Sequence, residues 1–511
     1  MTRFAVVGCV VGAVCATGVG TEITIGPRTY EVTEARVNET TSDTQNWQSA
    51  AVLTDGKYII GWGSEHQLSY GTDCFGKVYT IEGDPNTSEI LLNPYKTSGW
   101  QYGPVFAPLP DGGFAVPWAD SSTWVYLQRF DSDMSPIGTH SLVFNNINTW
   151  PVASSAPNGD FVVACGEYEP NYTIWARRYD SSCTPYGSAW QVNTDPPGLS
   201  GHTSVHPGLA MAPDGSFTLA WYNGSGDIRA QRYDPNGVAD GGEFTVNSST
   251  GGLRYRATVR YTSTGESIFA WYGAGDGDTD GIYARRFAAD GSPMGAEWLV
   301  NETTSGWQGN ANLGIGANDE FAICYRSADG DGTGIFARLY DGDGDPVGSE
   351  FQVNQYTSGD QYLPYKSGHA GVVISGTTLF FSWYGSVPGD SEGIGLTVLK
   401  RKGTALTVTI KKHPEWGEVL VEPNLPYYDP NGPNNVVTLT AIATEPSRAW
   451  MGWEGDVDPN DRYTNPLTIT MDADKDISTS FKCGMGTGPL LPMALGVLGL
   501  FVVARRRRTR S

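Results

Sequence analysis

Residues 281–301 read Gly-Ile-Tyr-Ala-Arg-Arg-Phe, then a turn-forming Ala-Ala-Asp-Gly-Ser-Pro-Met-Gly, then Ala-Glu-Trp-Leu-Val-Asn. Apolar and polar positions alternate on either side of the turn, which is the period of half-buried strands. Variants of the stretch recur along most of the chain. The closing asparagine stands at Asn38, Asn93, Asn145, Asn193, Asn247, Asn301 and Asn354, with gaps of 55, 52, 48, 54, 54 and 53 residues. A fixed period of that length marks a repeat architecture. In the unit 247–301 the pattern predicts strands over 256–261, 267–271, 282–287 and 297–301, separated by Gly-rich turns. Four antiparallel strands in about 53 residues suit a propeller blade and are too many for one coil of a solenoid.

The second strand of each unit predicts how blades stack. Its fifth position holds Trp62, Trp118, Cys165, Trp221, Trp271, Tyr325 and Trp383, and its fourth holds Gly61, Pro117, Ala164, Ala220, Ala270, Cys324 and Ser382. Successive strand residues face opposite sides, so each sheet offers a bulky face and a small one, and bulky packs on small around a circle. Pro117 is the misfit, and a bulge is expected there. The seventh unit lacks its last strand, while residues 34–38 carry that motif ahead of the first unit. Those N-terminal residues are expected to complete the last blade and close the ring. Arg178, Arg232 and Arg286 fall in one column and are expected to pair across strands with Glu243, Glu297 and Glu350.

The Ile-Tyr-Ala-Arg-Arg-Phe and Glu-Phe-x-Val-Asn signatures resemble the tandem units of large secreted bacterial surface proteins, over roughly residues 35–399. The resemblance implies export and a β-propeller, and no chemistry. The kelch and sialidase Asp-box patterns are absent. Residues 405–482, with Trp450, Trp453 and Thr-Asn-Pro-Leu-Thr-Ile-Thr-Met-Asp-Ala-Asp-Lys-Asp, look like a divergent internalin-type B repeat, a small β module that serves as spacer or adhesive unit.

The two ends read as export signals. Met1-Thr2-Arg3 precedes an apolar run ending at Cys15, and residues 1–16 have the layout of a signal peptide cut after Ala16. A lipoprotein box ending at Cys9 is the rival reading. At the other end, residues 483–511 hold Cys483 and Gly484, an apolar run over 489–504 expected to be a hydrophobic helix, and an arginine cluster. That layout resembles the sorting signals of the myxosortase and exosortase class, which implies inner-membrane insertion, a sorting protease and Cys483 as the handover residue. An ordinary short membrane anchor is the alternative. The expected whole is all-β: a seven-bladed β-propeller over residues 30–400, a small β module, and a C-terminal hydrophobic helix.

Charge narrows the partners. The chain carries 55 acids against 33 bases, and six of those bases lie in the end segments. Such a surface repels nucleic acid and anionic lipid. The seven cysteines have no metal-ligand spacing and imply no disulfide framework, and Cys165 and Cys183 are expected at opposite ends of one blade.

Candidate chemistry lies in the loops of one propeller face. Trp47, Trp100, Trp150, Trp307 and Tyr362, most of them beside Gln or Asn, are candidate ligand-binding residues, because aromatic rings stack on sugars or cations while nearby amides orient the ligand. Packing against the blade's own loop is the alternative role. Asp276, Asp278 and Asp280 have the alternation of calcium ligands without an EF-hand's closing glutamate, so calcium is the one cofactor suggested. No carboxylate pair stands out as a glycosidase acid and nucleophile. The reading is a monomeric, non-catalytic, exported binding or adhesion protein for a glycan or extracellular polymer. A carbohydrate-active propeller enzyme and a purely structural envelope protein are the alternatives.

Overall fold

The computed structural model describes residues 21–26, 28–65, 67, 71–95, 99–121, 123–145, 151–167, 173–194, 206–364, 370–402, 406–422, 428, 435–471 and 475–483. They fall into two compact units, one ending at Lys402 and one starting at Gly403. The first is a seven-bladed β-propeller. Blade 5 shows the plan, from inner to outer strand: Arg254–Tyr261, Ser267–Gly275, Asp278–Phe287 and Trp298–Leu299, all antiparallel. Blade 7 takes its outer strand from the N-terminus. Arg28–Arg36 pairs with Asp390–Lys402 from Thr29↔Lys402 to Arg36↔Gly395, which is the expected closure. A further strand, Thr21–Ile25, pairs outside it. Ile25 is buried and Ile23 packs beside it, so the closing segment reaches back beyond residue 30.

Seven apolar clusters, one between each pair of neighbouring blades, hold the ring. In each the bulky face of one sheet meets the small face of the previous one: Trp271 lies with Ala220 and Ala230, Tyr325 with Ala270 and Ala284, and Trp383 with Cys324 and Ala337. The cluster of Trp62 with Phe380 and Leu396 joins blade 1 to blade 7. All seven fifth-position side chains are at most 1% exposed, which is why the alternation was visible as a repeat.

Polar stitches follow the same period. The repeat asparagine takes up the ladder where the short outer strand leaves it: Asn301 Oδ1 accepts the Ile282 N–H at 2.7 Å, and Asn38, Asn93, Asn193, Asn247 and Asn354 do the same in their blades. The expected Arg–Glu pairing is not what forms. Glu243, Glu297 and Glu350 accept backbone N–H groups of Thr194, Ser248 and Glu302, each just past the asparagine of the preceding blade. Glu34 takes Gln355 and Tyr356 in the same way, and Glu89 takes Glu39. The outer strand of blade 5 pairs over only Trp298 and Leu299, so Glu297 has left the ladder and turns to its neighbour. The arginines pair with other acids of their own blades, Arg232 with the opposite Asp240 at 2.8 Å and Arg286 with Glu266 at 2.6 Å, and also reach forward. Arg232 donates to Ala289 O and Arg286 to Gly342 O, both at 3.0 Å, while Arg178 sits 3.8 Å from Asp160. Each lies over a turn glycine of the next blade (Gly237, Gly291 and Gly344), where positive φ and the overlying arginine leave no room for a side chain.

Pro117 acts elsewhere than expected. Its own strand, Phe114–Asp120, pairs with Trp124–Phe130 without a register shift. The break is in the inner strand of blade 2, split into Gly99–Tyr102 and Ala107–Pro108, because proline offers no N–H there. Val105 N–H still reaches Pro117 O at 3.1 Å.

The second unit has two three-stranded sheets, with Leu406–Lys412 parallel to Lys475–Cys483, around a core that includes Trp453, Phe481, Val437 and Leu439. The sequence reading lacked the last strand, whose polar residues outnumber Ile477 and Phe481. Cys483 is its final residue, exposed and in register with Arg448. Gly484, Ala16 and the run 489–504 lie outside the described residues. Among those described, no helix is long and apolar enough to cross a membrane. Cys165 and Cys183 are free thiols, and both contribute to the cluster between blades 2 and 3.

Candidate functional site: the aromatic face

The inner strands begin on the face that carries the candidate aromatics, and the second strands end there. The amides beside these aromatics are not free to orient a ligand. Gln45, Gln101, Gln308 and Gln361 are fully buried. Gln361 Nε2 donates to Ser358 O and Gly359 O, and its Oε1 accepts from Asn354. Gln45 repeats this with Ser42, Asp43 and Asn38. Gln45, Gln308 and Gln361 are framework because each closes a loop whose backbone carbonyls need a donor, and Gln101 is held by the side chains of Asp120 and Trp118.

The aromatics themselves are not one structural position. Trp100 and Trp307 precede the buried glutamine, Tyr362 follows it, and Trp47 comes two residues later. The structure gathers them in two groups. Over blades 1 and 2, Trp47 meets Tyr102 edge to face at 4.8 Å, and Trp100 stacks near Tyr102 at 6.4 Å. Burial, and then the charges of Glu65 and Asp120, raise the Tyr102 phenol above its ordinary range. Trp100 is held in register with Thr72 by a short parallel pairing between the two blades. Trp150 lies outside the described residues.

The second group runs along blades 4 to 7. Tyr222, Tyr255 and Tyr272 follow one another at 5.3 Å, and Tyr272 meets Trp307 at 6.1 Å. The Arg326 guanidinium then lies 5.6 Å from the Trp307 ring and 4.1 Å from the Tyr362 ring, and Tyr362 stacks on Tyr384 at 5.0 Å. Arg326 is fixed by Thr333 at 2.6 Å and Asp360 at 3.3 Å. The Thr333 hydroxyl, with further donors in Tyr362 and Arg326, holds the Asp360 carboxyl below its ordinary range. Trp307 is 40% exposed and lies over Gly309. Tyr272, Arg326 and Tyr362 are half-buried.

Sequence reasoning missed most of this row. Tyr222, Tyr272, Arg326 and Tyr384 stand in the sixth position of the second strand, one beyond the two columns that explained stacking. It also missed a backbone feature. Trp47, Arg256 and Asn310 have φ of 57°, 53° and 57°, each at a bulge in an inner strand. Such bulges re-aim a side chain at a cost of about 1–3 kcal/mol and gather at binding sites. Arg256 donates to Asn310 at 2.9 Å across the blade junction and lies 5.9 Å from the Tyr272 ring. No sequence pattern marks the bulge, since none of the three is glycine.

Asp276 lies in the hairpin turn before the third strand of blade 5, and Asp278 and Asp280 stand at the start of that strand. Asp278 accepts the Asp280 N–H at 3.0 Å and Asn301 Nδ2 at 3.1 Å, and Tyr283 donates to its backbone carbonyl at 2.6 Å. Burial above all pushes the Tyr283 phenol up to about 12. Among the described residues no group of three or more acids, histidines or cysteines converges as metal ligands. The same role recurs at Asp73, Asp227 and Asp390, which hold Asn93, Asn247 and Asn38. Of the three carboxylates it is Asp278 that serves the repeat, because the asparagine amide needs an acceptor.

No protein-family model and no curated protein matches the chain. Solved structures that resemble it include a copper-bound fungal alcohol oxidase of the AA5 family, 13% identical with TM-score 0.48, covering 90% of each chain. A PL25 ulvan lyase is 10% identical with TM-score 0.42, over 74% of this chain and 95% of that one. The β-propeller domain of the trilobed protease from Pyrococcus furiosus is 8% identical with TM-score 0.39, over 66% of this chain and 92% of its own. At these identities the likeness is one of fold alone.

Proposed function

We propose that the propeller is an exported, non-catalytic module whose aromatic face binds an extracellular glycan. The observation that carries this reading is the row Tyr272, Trp307, Arg326 and Tyr362, in which half-buried or exposed rings and a fixed guanidinium stand side by side at the edge of the blade cores. Sugars bind such surfaces by stacking their C–H faces on rings while hydroxyls take charged or amide partners. The Arg256 to Asn310 bridge and Asp360 supply those partners. Arg256 and Arg326 on this face make a cationic polymer the poorer fit. Glu34, a carboxyl raised by burial, is a latch in the outer strand of blade 7 and no acid catalyst. Cleavage after Ala16 and a handover at Cys483 and Gly484 belong to the same proposal and rest on the sequence alone.

A glycan array of the mature body, run with and without calcium, tests it. Binding of defined glycans is expected, weakened about fivefold or more by Trp307→Ala or Tyr362→Ala, since an exposed stacking residue contributes about 1 kcal/mol. A calcium requirement would return the turn of Asp276, Asp278 and Asp280 to the site. Binding to no glycan, or binding indifferent to both substitutions, would refute the assignment.

A further inference from the structure

The inner strands of the blades enclose an axial channel of about 510 Å³. One register of these strands, opposite the second residue of the neighbouring strand, holds Ala51, Ala107, Ser154, Ala210, Gly314 and Val373 in six blades. Small or compact residues suit the crowded axis. In blade 5 the same register holds Arg260, opposite Ile268. Among the described residues it is the only ionisable side chain in the channel wall.

Arg260 breaks the repeat without an internal reason for doing so. Its Nη1 donates to the Val259 carbonyl at 2.8 Å, and among the described residues it has no carboxylate partner. Burial pushes the group down to about 10, so it is cationic at neutral pH. The guanidinium is half-buried on the channel wall and so within reach of an anion entering from solution. Arg260 is the penultimate residue of its inner strand, so the site lies toward the end of the channel away from the aromatic face.

We propose that the channel binds a small oxyanion, a carboxylate or sulfate group, on the Arg260 guanidinium. The site uses neither the residues nor the face of the glycan reading, and each can fail without the other.

Titration of the full chain with sodium acetate, sodium glucuronate and sodium sulfate, against sodium chloride of equal ionic strength, tests this by calorimetry and thermal unfolding. The three salts separate a bare carboxylate, a sugar acid and an inorganic anion. Arg260→Ala is the variant of choice because alanine already holds this register in blades 1, 2 and 4. At least one salt is expected to bind the wild type saturably and raise its Tm. Affinity should fall about tenfold or more in Arg260→Ala and less in Arg260→Lys, which keeps the charge but loses the fork. Trp307→Ala should leave the binding of acetate and sulfate unchanged. Saturable binding by none of the three, or equal binding by Arg260→Ala, overturns the proposal.

Discussion

Glu34 and Glu350 hold the same place in blades 7 and 6, yet their carboxyls move in opposite directions. Burial raises Glu34, and the N–H groups of Gln355 and Tyr356 only partly offset it. Burial acts on Glu350 too, but the hydroxyls of Thr303 and Tyr325 and the N–H groups of Glu302 and Thr303 together bring it below its ordinary range. A raised folded-state pKa means that the Glu34 charge opposes folding at neutral pH, and that this is relieved as pH falls through the raised value. Glu350 contributes stability that is present above its unfolded pKa and lost as pH falls through the lowered one. Urea unfolding should therefore show Glu34→Gln with no loss at pH 7, and Glu350→Gln losing about 1 kcal/mol or less at pH 7 and less still near pH 4. The opposite order would show that the latches do not work as the distances imply. Single aromatics divide just as clearly by burial. Trp271→Ala leaves a cavity between blades 4 and 5 and should cost about 3–5 kcal/mol, whereas Trp307→Ala should cost under about 1 kcal/mol. Equal losses would make Trp307 part of the framework.

At the scale of the strand, what could be read from the chain was what alternates. The bulky fifth and small fourth positions of the second strands repeat because every blade junction needs them, so the ring and its closure by residues 34–38 were legible. The partners of Arg232 and Glu297 were not, because they depend on where a two-residue outer strand leaves its ladder. The bulge at Trp47, Arg256 and Asn310 was hidden for a similar reason, as it is a backbone conformation without a residue signature. The asparagine period, by contrast, was found before its purpose, the N–H of the third strand. The closing segment gives a direct test. Removing residues 21–36 strips Ile25, Tyr30 and Val32 from the junction of blades 6 and 7 and bares the strand Asp390–Lys402. At about 1.5–3 kcal/mol for each buried side chain, the loss should be about 5 kcal/mol and should bring aggregation through the open edge. A truncated chain with unchanged Tm would contradict closure.

The whole molecule carries a formal charge of −22, yet its two candidate sites are built on cations, Arg256 and Arg326 on the aromatic face and Arg260 in the channel. On the proposed readings, those cations favour polar or anionic ligands against an acidic background. Whether the aromatic face binds a glycan without transforming it is the central question, and saturation-transfer proton NMR of the tightest array glycan answers it in one spectrum. The account predicts transfer from the protein to sugar protons, its loss in Trp307→Ala, and anomeric signals that stay unchanged over a day of incubation. A new reducing-end or unsaturated-sugar resonance, appearing with wild-type protein and abolished by neutralising one carboxylate of that face, would contradict it.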